Sequence, residues 1–166
     1  MLVCQKFFKI LKMNINNQYV NRYWMKIALF LAKISFNKGE IPIGSVLISS
    51  NKVIGMGWNN SIEKNDPTAH AEIIALRNGG KFLKNYRLLH TTLYVTLEPC
   101  IMCLGAILNS RIQTLIIGAS RKNNFKNILY DTNFIYNSNG FKIKIIKNIL
   151  KNECSNLIKQ FFINQR

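Results

Sequence analysis

Two short segments carry side chains that could do chemistry together: His70-Ala71-Glu72, and the two thiols of Pro99-Cys100-Ile101-Met102-Cys103. One imidazole and two thiolates are three ligands suited to a tetrahedral zinc ion. Three protein ligands leave the fourth position open to water or substrate, which is the pattern of a catalytic rather than a structural site. Glu72 completes the set. Two thiolates already offset much of a dication's charge and weaken it as a Lewis acid, so a carboxylate that takes a proton from attacking water would compensate. Each motif alone is less telling. Cys-x-x-Cys in an α/β protein also fits a redox pair or part of a structural zinc site, and His-x-Glu recurs by coincidence. Together, each after a strand-like run, they point to catalytic zinc, one Zn2+ per subunit.

Elements must bring these groups to one point. Cys100 and Cys103 stand three apart at the start of a small-residue helix running to about Asn109, so both sulfurs can face one side and the positive helix end favours thiolates. Asp66-Pro67-Thr68 is helix-start chemistry for a second helix from Ala69 to Arg77, with Thr68 as expected N-cap and Gly79-Gly80 as its stop. Residues i and i+2 of a regular helix point about 200° apart. His70 and Glu72 can therefore share a site only if the first turn is irregular.

Around these helices, apolar residues Tyr19, Tyr23, Trp24, Ile27, Leu31 and Ile34 recur at helical spacing and predict a first helix over Tyr19 to Phe36 with one buried face. Ile41 to Ser49 and Lys52 to Trp58 read as a hairpin about Ser50-Asn51. Leu93 to Leu97, Thr114 to Ala119 and Phe141 to Ile146 read as buried strands, and about Asn148 to Ile163 as a last helix. The Asn-rich stretch around Asn123 to Asn139 reads as irregular. Near-continuous apolar strands alternating with helices predict an α/β sandwich with helices on both faces of the sheet and an antiparallel hairpin at one side.

The chain has 166 residues, 48% of them hydrophobic and 18% charged, which suits one domain with a sizeable core. Lys and Arg number 23 against 7 Asp and Glu, a net charge of +16 that favours polyanions such as nucleic acid or an anionic membrane surface. Abundant Ile and Asn leave a second reading of nearly equal weight, in which A/T-rich codon bias alone could produce much of that excess. The four cysteines, Cys4, Cys100, Cys103 and Cys154, are too few for a secreted disulfide framework, so a reducing, cytoplasmic setting is expected. Cys154 reads as a free buried thiol and His90 as a surface or edge residue. Residues 1–13 are broken by Lys6, Lys9 and Lys12, unlike a signal peptide. They read as an extension or mis-assigned start ahead of a single domain over 14–166.

The chain resembles the bacterial tRNA-specific adenosine deaminases of the cytidine deaminase-like superfamily. The likeness runs from about Tyr19 to Phe162 through YWMKIALFLAK, EIPIGSVLI, VIGMGWN, DPTAHAEIIALRNGG, NYRLLHTTLYVTLEPCIMCLGAILNSRI, Glu153-Cys154 and Phe161-Phe162. The resemblance implies a three-layer α/β/α sandwich with a central mixed five-stranded sheet. It further implies an enzyme that hydrolyses an amidine C–N bond, converting adenosine to inosine at the wobble position of a tRNA, usually an arginine tRNA. His70, Cys100 and Cys103 would be the zinc ligands and Glu72 the proton shuttle. Asn59 would contact the flipped base or its ribose, with Ile41 and Leu97 walling the pocket; Asn59 also reads as a turn residue. The partner would be an unpaired anticodon stem-loop. Arg121, Lys122, Lys159 and Arg166 are candidate phosphate contacts, and a homodimer is implied; that no segment reaches the roughly 18 uninterrupted apolar residues of a spanning helix leads separately to the expectation of no membrane partner. Relatives commonly read Gly-Ala-Arg-Asp where this chain has Gly118-Ala119-Ser120-Arg121, so the contacts of that loop do not carry over. Two other functions fit the motifs less well: a free-base or nucleoside deaminase acting on cytosine or guanine, and a non-catalytic RNA-binding protein with structural zinc.

Overall fold

The computed structural model describes residues 2–121, 133–137 and 140–164. Its first element, α1 (Leu2–Asn37), is a helix of 36 residues that includes residues 2–13 of the segment read as an extension. No Gly or Pro interrupts residues 1–37, so nothing stops helix propagation there. The buried face is the expected one at Leu31, with Trp24, Ile27 and Ile34 partly buried against the core, but not at the two tyrosines. Tyr19 and Tyr23 are 73% and 57% exposed, whereas Met25, Ala28, Leu31, Ala32 and Ser35 are buried. The reason lies in β1 (Gly44–Ser49), whose first residue packs against the helix so closely that a Cβ on Gly44 would lie 2.0 Å from Ala28 O. Small residues must face that contact, which rotates the aromatics outward.

The strand β1 pairs antiparallel with β2 (Lys52–Trp58) through a two-residue turn in which Ser50 and Asn51 both adopt positive φ, the twist that suits a tight hairpin. A short helix α2 (Ser61–Lys64) and α3 (Ala71–Leu83) follow. Gly79 and Gly80 do not end α3. Gly79 is buried against Leu47, where a Cβ would stand 2.3 Å from Cδ2, and the helix stops instead at Lys84 in the left-handed conformation. Then come β3 (Thr91–Leu97), α4 (Ile101–Ser110), β4 (Thr114–Ala119), β5 (Phe134–Tyr136), β6 (Lys142–Ile146) and α5 (Lys151–Asn164).

Among the described residues the sheet has six strands in the order β2-β1-β3-β4-β6-β5, not five. The added strand, β5, is three residues long and pairs only with β6, at the sheet edge. So short a segment within an Asn-rich stretch gives no period-2 signal to read. β3, β4 and β6 run parallel, and the two edge hairpins make the sheet mixed. Alternate strand residues face opposite layers, and both faces are apolar. Leu47, Leu93, Val95, Leu115 and Ile117 pack with Ala75 and Leu76 of α3 and with Leu104 and Ile107 of α4. Val46, Ile48, Tyr94 and Ile116 pack with Met25, Ala28 and Leu31 of α1 and with Cys154 of α5. This is the expected three-layer sandwich, and it sets the starts of α3 and α4 beside the ends of the central strands, where open α/β sheets place their sites. No helix is long and apolar enough to cross a membrane among the described residues.

Candidate active site

The irregular turn needed to bring His70 and Glu72 together arises because α3 begins later than expected. His70, not Thr68, is the N-cap residue, with extended backbone at φ −77° and ψ 154°, and Glu72 is the second residue inside the helix. Thr68 is engaged elsewhere. Its N–H and hydroxyl donate to Asp66 Oδ1 at 2.8 and 2.7 Å, closing an Asx-type turn over Pro67. The open helix end is capped from another loop, since Asn59 Oδ1 accepts the Ala71 N–H at 3.0 Å. With its oxygen thus committed, Asn59 has its amide NH2 to offer a ligand. The extended His70 turns its ring away from the helical spiral, which removes the 200° conflict.

Cys100 is likewise the N-cap residue of α4, extended at φ −74° and ψ 171°, and Cys103 is buried in the first turn. Cys100 Sγ and Cys103 Sγ lie 3.6 and 3.5 Å from His70 Nδ1. Zinc–sulfur and zinc–nitrogen bonds of about 2.3 and 2.0–2.1 Å at a tetrahedral angle separate S from N by about 3.6 Å, so this triad is spaced for a zinc ion. These are the residues that gather ligand atoms within 4.8 Å of one another.

Glu72 is 2% exposed, and its Oε2 makes no hydrogen bond among the described residues. Burial pushes its carboxyl pKa up, against a smaller downward pull from Arg121. Burial also pushes the Cys103 thiol strongly up, reinforced by Glu72 and Cys100, and it pushes His70 down, with Arg121 adding to the effect. Each group is therefore driven toward its neutral form. Two thiolates and a carboxylate crowded here need a compensating cation, and the donor set fits zinc on that ground as well.

The cluster opens into a cavity of about 570 Å³ lined by Ile41, Asn59, His70, Leu97, Arg121 and Lys159, so every expected pocket or contact residue within the described set reaches it. Lys122 and Arg166 lie outside the described residues. Arg121 is held in place by Glu98, its Nε donating to the Glu98 carbonyl at 2.8 Å. Sequence reasoning reached α5 through Lys159 but missed Lys151, Ser155 and Ile158, which with Phe162 close the cavity's far wall. The signal for Phe162 was the Phe161-Phe162 pair within the family likeness. Cys154 is buried as expected, and His90 is exposed.

A three-layer α/β/α fold with His, Cys and Cys at two helix starts and a buried Glu beside them defines a deaminase of the cytidine deaminase-like class. Residues 20–166 match the MafB19-like deaminase family. A tRNA-specific adenosine deaminase of Buchnera aphidicola subsp. Baizongia pistaciae is 60% identical over 146 residues, covering 88% of this chain and 90% of the relative. A structure from a study of A-to-I editing by tRNA:A34 deaminases at the wobble position superposes with a TM-score of 0.70 at 32% identity, covering 81% of this chain and 98% of that one. A guanine deaminase from Bacillus subtilis shares 41% identity but covers only 59% of this chain, with a TM-score of 0.57. The chain belongs to the tRNA-specific adenosine deaminase family.

Proposed function

We propose that this protein hydrolyses the exocyclic C–N bond of adenosine at the wobble, first anticodon position of an arginine tRNA, giving inosine and ammonia. The observation that carries the reading is the buried carboxylate of Glu72, with an unpartnered oxygen, set beside a His-Cys-Cys triad at zinc spacing. Zinc held by His70 Nδ1 and the two sulfurs would supply the Lewis acidity that makes water a nucleophile near neutral pH. Glu72 takes the proton that water gives up. That proton goes to the purine ring nitrogen, where inosine keeps it; a second, from the hydroxyl left on the carbon, passes through Glu72 to the amine, which leaves as ammonia, and burial, which raises the carboxyl pKa, favours its taking each proton.

Asn59 offers its NH2 to the base or ribose, while Ile41 and Leu97 form the apolar walls that exclude bulk water. A stacked base cannot enter such a cavity, so the substrate is an unpaired loop nucleotide turned outward. Arg121 and Lys159, which line the cavity, hold phosphates around its mouth, with Lys122 and Arg166 as further candidate phosphate contacts, which makes binding salt-sensitive. The reading carries with it a cytoplasmic location and a homodimer, the twofold form commonest for oligomers.

Incubation of purified protein with an in vitro transcribed arginine tRNA, followed by sequencing, is expected to show adenosine-to-inosine conversion confined to the wobble position. Conversion of free guanine or cytosine with the tRNA left unedited would overturn the reading.

A further inference from the structure

The end of α1 and the turn behind it send three side chains to the segment after β2. Ser35 is fully buried, with Oγ 2.9 Å from the Ile41 carbonyl and 3.1 Å from the Asn59 carbonyl. Lys38 Nζ donates to Glu63 Oε2 at 2.6 Å. Glu40 is 3% exposed, and its Oε1 accepts the N–H groups of Ile62 at 2.7 Å and Glu63 at 3.1 Å. Asn60 occupies the N-cap position of α2 but makes no side-chain cap bond, so the capping is done by Glu40 from a different loop. Beyond this turn, Asn59 Oδ1 holds Ala71 and the Asn60 N–H donates to the Ala69 carbonyl at 3.0 Å.

These ties differ in weight. Lys38 and Glu63 are both exposed, and such pairs contribute little. A buried carboxylate is different, since it must be hydrogen-bonded to be tolerated at all, and its bonds to N–H groups are about twice as strong as neutral ones. Both segments it joins line the cavity, through Ile41 on one side and Asn59 on the other. The metal ligands stand on α3 and α4, one step removed from the joint.

We propose that Glu40 is a positioning residue for the target nucleotide: by gripping Ile62 and Glu63 it fixes the turn that presents Asn59 opposite Ile41, and so sets how tightly the base is held. This role rests on the proposed tRNA deamination. It separates ground-state placement of the nucleotide, which Glu40 governs, from the metal-centred step, which it does not.

Steady-state editing of an arginine tRNA anticodon stem-loop by Glu40→Ala, Glu40→Gln and Ser35→Ala tests it, with zinc content measured on each. Glu40→Ala is expected to raise KM about tenfold with kcat within about twofold of wild type and zinc retained. Glu40→Gln keeps an acceptor oxygen and should recover most of the loss. Unchanged KM in Glu40→Ala, or a fall in kcat and zinc with KM unmoved, overturns the role. Should Glu40→Ala fail to fold, Ser35→Ala loosens the same turn at the Asn59 carbonyl, which Ser35 and not Glu40 holds: a raised KM supports the proposal that this turn sets how tightly the base is held, and a wild-type KM overturns it. Wild-type protein that edits no stem-loop overturns the functional reading and this role with it, whereas wild-type editing alongside unaltered KM in the variants overturns this role alone.

Discussion

Glu72→Ala is expected to lose turnover by roughly 10³- to 10⁴-fold while keeping its metal and its fold, since a positioned acid–base group contributes up to about that factor. The stability side follows from magnitudes. An unsatisfied buried oxygen costs about 1–3 kcal/mol, and deleting the one methylene lost with the carboxyl forfeits about 0.8 kcal/mol of apolar burial. Glu72 Oε2 is such an oxygen, so the two changes nearly offset and the melting temperature should stay within a few degrees. Single-turnover inosine formation, zinc analysis and a thermal melt on one preparation check this. Activity within tenfold of wild type, or loss of zinc with the carboxylate, would remove Glu72 from its assigned place.

His70→Ala should fail differently. Its Nδ1 lies at zinc spacing from both sulfurs, so its loss leaves two thiols that hold the ion far more weakly. A site worth about 10–16 kcal/mol in total loses roughly 3–4 kcal/mol per ligand, or on the order of 10² to 10³ in affinity. Chelator should lower the melting temperature of the wild type, because a bound ion stabilises the folded state by mass action, and should leave that of His70→Ala unmoved. Equal chelator sensitivity of the two proteins would contradict the ligand assignment. Glu72→Ala and His70→Ala thus part on the metal: the first keeps it inactive, the second loses it.

The chemistry of this site is local in the chain, and for that reason it was readable. His70 and Glu72, and Cys100 and Cys103, each lie within one helical turn, so residue type and spacing alone convey a ligand set. What spacing could not convey was how His70 and Glu72 share a direction. That depends on α3 starting at Ala71, and the cap that fixes the start is Asn59, held on another loop by a tertiary hydrogen bond. The same limit explains the remaining differences. The buried face of α1 is set by the approach of Gly44, and Gly79 stays inside α3 because Leu47 presses on it. The far wall of the cavity comes from α5, whose Ser155 and Phe162 meet Ile41 and Asn59 only once the sandwich has closed. Periodicity sees which residues seek burial, but not which neighbour will bury them.

Zinc K-edge X-ray absorption on the purified protein bears most directly on the metal-centred claim. One zinc per chain is expected, with two sulfur ligands near 2.3 Å, one nitrogen near 2.0–2.1 Å and a light fourth ligand. Protein that carries no metal, with Cys100 and Cys103 free to titrate or joined as a disulfide, would contradict it.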